Sequence, residues 1–166
     1  MAAWQFTFSL VPVAGILSVY GEMVDALPEY AARLPDAPFD EDADYPNYWE
    51  GIDQTFVHDM AKSVLPLTAS WCEDATIYGD TKTDDIQIWE DNVIVRLNCG
   101  DLNLALLETI VAAARTNGCC LVLNEAGRII SPEYQLVLDA LHASSAARFV
   151  KDPRTFLASI GRSFDA

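Results

Sequence analysis

Ile86-Gln87-Ile88-Trp89-Glu90-Asp91-Asn92-Val93-Ile94-Val95-Arg96-Leu97 is the stretch on which the fold turns. Ile86 and Ile88 alternate with polar or amphipathic neighbours, and so do Val93, Val95 and Leu97. A period of two places every second side chain on one face of a sheet. Glu90-Asp91-Asn92 interrupts the two runs with turn-forming residues, so residues 86–97 are expected to form a β-hairpin. Trp89 falls on the face opposite Ile86 and Ile88, where it is either a core residue of a second face or an exposed contact.

The chain on either side extends this unit. After the hairpin, Leu106, Leu107, Ile110 and Val111 make one stripe of a helix over 102–116, with Asp101 or Asn103 as its cap and Asn117-Gly118 as its stop. Cys119–Asn124 reads as a short apolar strand, with Arg128–Ile130 beyond Gly127 as its hairpin mate. Ser131 then caps a helix that has Pro132 in its first position and runs to about Ala143. Asp152-Pro153 opens a last helical piece through Phe156, Leu157 and Ile160. At the other end, Trp4, Phe6, Phe8 and Leu10 alternate with Gln5, Thr7 and Ser9, which predicts a half-buried strand over Trp4–Val11. Residues 16–34 read as helical, with Leu17, Tyr20, Val24 and Leu27 inward and a break allowed at Pro28. Pro35–Asn47 is a loop, Phe56–Val64 a helix, and Pro66–Thr83 irregular. The expected fold is α+β and a single domain over 1–166: a mixed β-sheet with a split βαβ-like core packed by helices, plus a C-terminal helical extension.

Composition narrows the function classes. The chain has 166 residues, enough for one core; 51% are hydrophobic and 10% aromatic, too apolar for a disordered chain. Its formal net charge of -15 repels phosphate backbones and anionic lipid, which argues against nucleic-acid or membrane partners and for a basic protein partner. The charge is uneven. Residues 1–91 hold 18 Asp and Glu against three Lys and Arg, whereas residues 92–166 hold seven of each. Met1 to Gly21 contains no charged side chain and therefore lacks the basic start of a signal peptide. Gln5, Thr7, Ser9 and Pro12 count against a membrane span. A cytoplasmic location is the expectation. Cys72, Cys99, Cys119 and Cys120 show no CxxC spacing and read as small buried thiols. In a strand, Cys119 and Cys120 point to opposite faces.

Few residues invite chemistry. Asp40, Asp42 and Asp44 match the first ligand spacing of a calcium loop, but Tyr45 stands where that loop needs glycine and Gly51 where it needs glutamate. His58 and His142 are the two histidines, and neither accompanies a nucleophile motif. No phosphate loop, dinucleotide fingerprint or HExxH is present. Neither a catalytic residue, nor a metal site, nor a cofactor is expected. Asp40, Glu41, Asp42 and Asp44 lead directly into Tyr45, Tyr48 and Trp49, a combination of steering charge and aromatic anchors suited to an interface. Glu73, Asp74, Asp84 and Asp85 are expected to extend that acidic, partner-binding face.

Leu10-Val11-Pro12 at the end of the first strand, Tyr48-Trp49-Glu50-Gly51, Leu65-Pro66, Ser70-Trp71, the hairpin opened by Asp84-Asp85, Ser131-Pro132, Ser144-Ser145-Ala146 and Phe149-Val150-Lys151-Asp152-Pro153 form a layout over nearly the whole chain. It resembles the bacterial immunity proteins of polymorphic or contact-delivered toxin systems. Within it, Asn98-Cys99-Gly100 stands where a charged strand end is expected. The resemblance implies a protein that binds and neutralises a cognate toxin domain. An acidic face that occludes a basic nuclease cleft agrees with the charge of the chain. Two other classes remain open at this point: an acidic adaptor or chaperone for a secreted effector, and a small carboxylate-based enzyme.

Overall fold

The computed structural model describes residues 3–27, 29 and 45–161. The hairpin forms as expected. Strand β4 (Asp85–Trp89) pairs antiparallel with β5 (Val93–Asn98), placing Ile86 opposite Val95 and Ile88 opposite Val93. Around it, β1 (Gln5–Pro12), β2 (Leu67–Thr68), β3 (Ala75–Gly79), β6 (Cys119–Leu123) and β7 (Ile129–Ile130) complete a seven-stranded sheet of order β2-β3-β4-β5-β1-β6-β7. Every adjacent pair is antiparallel, so the sheet is not mixed. The split βαβ unit is nevertheless there. Strands β5 and β6 run the same way, joined by the helix Leu104–Thr116, and β1 lies antiparallel between them. Parallel direction without parallel pairing is what the expectation of a mixed sheet missed.

The helices are α1 (Val13–Tyr20), α2 (Thr55–Val64), α3 (Leu104–Thr116), α4 (Tyr134–Ala143), α5 (Ser145–Lys151) and α6 (Pro153–Gly161). The fold class is α+β. Helix α3 starts at Asn103, whose side chain accepts the Leu106 N–H at 3.0 Å, which decides between the two expected caps. Helix α4 begins three residues later than Ser131, with Glu133 at its cap position and no side-chain cap bond. Two further boundaries differ. Helix α1 stops at Gly21 (φ 75), in the left-handed conformation that ends helices, so residues 22–27 are not helical, Leu17 is exposed, and Ile16 is the fully buried residue. Pro66–Thr83 is not wholly irregular: Ala75-Thr76-Ile77-Tyr78-Gly79 forms β3. Among the described residues no helix is long and apolar enough to cross a membrane.

Two apolar clusters hold the sheet. On one face Phe6, Phe8 and Leu10 of β1, with the inward residues of β4 and β5, meet Val57 and Met60 of α2, Leu107, Ile110 and Ala114 of α3, and Val137 and Leu141 of α4. Each fully buried side chain of this size contributes about 1.5–3 kcal/mol through burial. On the other face Val11, Cys120 and Val122 meet Ile16, Leu27 and Tyr48. Cys119 and Cys120 thus face opposite sides, and burial pushes their thiols up to about 12 and about 11. Strand β1 is buried on both faces rather than half-buried, with Gln5, Thr7 and Ser9 also out of contact with solvent. Helix α1 lies so close to the next turn that a methyl group on Gly15 would stand 2.0 Å from the Tyr48 carbonyl oxygen, an approach that only glycine allows.

Asn98-Cys99-Gly100 acquires a plain role. The Asn98 side chain accepts the Gly100 N–H at 2.9 Å and closes the turn that leaves β5.

Candidate functional site

The expected acidic face divides into separate places. Asp40, Glu41, Asp42 and Asp44 lie outside the described residues. Tyr45 is 41% exposed, but Tyr48 and Trp49 are buried. Their reading as exposed anchors is corrected by the turn they occupy. The Asn47 carboxamide oxygen accepts the Trp49 N–H at 2.8 Å and folds the chain over the end of the sheet. Tyr48 then enters one apolar cluster and Trp49 the other. The Trp49 indole donates to the Leu10 carbonyl at 3.2 Å, and its ring lies 6.1 Å from that of Phe56. Asp84 and Asp85 are at the opposite end of β4 from Trp89. Asp85 is fully buried and receives Arg96 Nε at 2.9 Å and a second guanidinium nitrogen at 2.9 Å. Asp84 accepts the Asn98 N–H at 2.7 Å. These two acids support the sheet and do not present charge to a partner.

Glu73 and Asp74 do reach a surface, and the register of the strands gives them company. Ala75 pairs with Trp89, so the turn before β3 lies beside the turn after β4. Glu73, Asp74, Glu90 and Asp91 are all exposed there. Gln54 Nε2 donates to the Trp89 carbonyl at 2.8 Å and brings exposed Asp53 to the same end. Lys62 and Lys82 are the cations of residues 45–95, and they lie on the last turn of α2 and in the turn at the far end of the sheet.

The acids follow an aromatic pair in the two turns. Trp71 is 70% exposed and packs on Trp89 with ring centroids 5.5 Å apart. Leu67, on the edge strand β2, is 69% exposed. Nothing local in the sequence around Trp71 distinguishes a tryptophan beneath the surface from one on it. The signal that could have found this group is the hairpin itself, since Glu90 and Asp91 must project from its turn.

A hydrogen-bonded cluster fixes the neighbouring chain. Tyr20 donates to Glu29 Oε2 at 3.2 Å, Tyr48 donates to Glu29 Oε1, and the two phenols are 3.1 Å apart. Burial first, then the Glu29 contacts, push the Tyr48 hydroxyl far above the ordinary tyrosine range. Glu29, Tyr45, Tyr48 and Asp91 line one small cavity. The described residues on either side of 30–44 therefore meet at the acidic end of the sheet.

His58 Nδ1 lies 3.4 Å from the Tyr78 hydroxyl, and the two rings meet edge to face. Among the described residues no three His, Cys, Asp or Glu side chains gather as a metal site would require. Comparison with protein-family models, with curated proteins and with solved structures gave no match.

The buried acids set the pH dependence of stability. Burial raises Asp85 above the ordinary carboxylate range, with Arg96 opposing it, and burial also raises Asp84. A carboxyl raised on folding binds its proton more tightly in the folded chain. Its ionisation therefore costs stability above the folded value, and that cost is relieved as pH falls through it. Asp53 and Asp152 are held low by the hydroxyl and backbone N–H of Thr55 and Thr155; they act in the opposite sense, and only below the ordinary range of about 4. Calorimetry should accordingly find a higher melting temperature at about pH 5 than at about pH 8, helped by relief of the acidic surplus. A midpoint that rises from about pH 5 to about pH 8 would contradict this assignment.

Proposed function

We propose that this chain is an immunity-type binding protein, which captures a basic toxin domain and blocks it by covering its working surface. The observation that carries the reading is the exposed Trp71, packed on the half-buried Trp89, with exposed Glu73, Asp74, Glu90 and Asp91 in the two adjoining turns. A large exposed aromatic with a charged rim is the anatomy of a binding hot spot: the ring supplies buried area on association, and the rim supplies steering. The net charge of -15 suits a partner whose own surface is basic, as a phosphate-handling active site is. Acting on such a toxin before it damages its target requires the same compartment, which makes the cytoplasm the working location.

Growth rescue tests this reading. The toxin domain encoded beside this chain's gene should arrest growth when expressed in a bacterial cell, and co-expression of the chain should restore it. Arrest that persists with the chain present in excess would refute neutralisation. Binding without restored growth would favour an adaptor that carries an effector and does not silence it.

A further inference from the structure

We infer that the partner is held in part by strand addition: an extended, basic segment of the partner pairs with the β2 edge of the sheet. This rests on the proposed binding function and specifies the chemistry of its contact.

Strand β2 is the outermost strand on its side of the sheet. Gly79 donates its N–H to the Pro66 carbonyl at 2.7 Å, and Leu67 stands opposite Tyr78. Antiparallel ladders alternate bonded and non-bonded residue pairs, so Leu67 falls in a non-bonded pair and turns both its N–H and its C=O outward. Residues 66–71 are exposed without interruption, and their sequence Pro-Leu-Thr-Ala-Ser-Trp carries no charge. Edge strands are ordinarily protected by shortness, proline, lysine, an inward charge, a bulge or a covering segment. Here the edge is short and follows Pro66, but no charged side chain guards it, and two large apolar side chains, Leu67 on β2 and Trp71 in the bend that follows, stand exposed along it.

Charge selects the occupant. Glu73 and Asp74 lie just beyond one end of this edge, and Asp80 follows Gly79 at the other. A segment carrying lysine or arginine finds complementary charge at the Glu73–Asp74 end, whereas Asp80 shares its turn with Lys82. A second copy of this chain would bring another net -15 to the same place, which disfavours edge-to-edge pairing between copies. Main-chain bonds would supply affinity, and the Leu67 and Trp71 side chains would supply selectivity for apolar residues between the cations.

The test uses the whole chain and a defined probe: a short synthetic peptide of alternating lysine and valine, followed by amide chemical shifts. Binding should shift Leu67, Thr68, Ala69 and Ser70. A peptide of the same charge, N-methylated at alternate residues so that it cannot pair, should bind at least about tenfold more weakly, as expected for losing two hydrogen bonds. Leu67→Pro removes the outward donor together with the Leu67 side chain and should also abolish pairing while the β2–β3 bonds remain. Equal binding of the N-methylated peptide to the unaltered chain overturns strand addition, as do shifts confined to other surfaces, absence of binding, or dimerisation of the chain alone in sedimentation. Growth rescue reads the neutralising role separately. If rescue succeeds while the pairing test fails, the function stands and this mode of contact is wrong.

Discussion

Trp49→Ala is expected to destabilise the fold by about 3–5 kcal/mol, the usual cost of emptying a buried aromatic site. The indole is 3% exposed, bonded to the Leu10 carbonyl and packed against Phe56. Its removal leaves a cavity and takes one donor from the Leu10 carbonyl at the end of the central strand. The melting temperature should fall by roughly 10 °C. Partner affinity, measured well below that temperature, should change little. A variant that melts with the parent and loses affinity would return Trp49 to the interface.

Arg96→Met should cost a similar amount, about 3–5 kcal/mol, for an electrostatic reason. Asp85 has no exposure, and among the described residues its guanidinium contacts come from Arg96. Without that cation a buried carboxylate is left uncompensated. Replacing both residues, Asp85→Leu with Arg96→Met, should recover most of the loss, because well-packed apolar residues can substitute for a buried pair. The pH dependence adds a second check. Burial already raises Asp85, so protonation at low pH should shrink the penalty of the single variant. Denaturant unfolding of the two single variants and the double variant gives the coupling directly. Additive losses would mean that the pair contributes nothing as a pair.

What could be read from the sequence follows how local the determinants are. The hairpin was legible because Ile86, Ile88, Val93 and Val95 carry the strand period themselves, and α3 because Leu106, Leu107, Ile110 and Val111 carry the helical one. Gln5, Thr7 and Ser9 misled, since alternation predicts an open face and says nothing about what covers it. Strand β3 was hidden by its shortness and by the acids that flank it. The helical reading of 16–34 overran Gly21, whose left-handed backbone ends α1. At the candidate site the separation of Glu73 and Asp74 from Asp84 and Asp85 depends on strand register, which places them at opposite ends of one hairpin. Burial of Tyr48 and Trp49 depends on the Asn47 turn wrapping the sheet end, a contact between residues near 48 and β1 far away in sequence.

The central claim is that the acidic, tryptophan-bearing end of the sheet engages a basic partner. Association kinetics with the toxin domain identified by growth rescue, at low and high salt, test it most directly. Converting Glu73, Asp74, Glu90 and Asp91 to their amides should slow association at low salt by about tenfold or more and flatten its salt dependence. Trp71→Ala, at 70% exposure, should leave the melting temperature nearly unchanged and speed dissociation by roughly 30-fold, the equivalent of about 2 kcal/mol. Unchanged association of the amide variant together with unchanged dissociation of Trp71→Ala would contradict the account and move the contact to another face of the molecule.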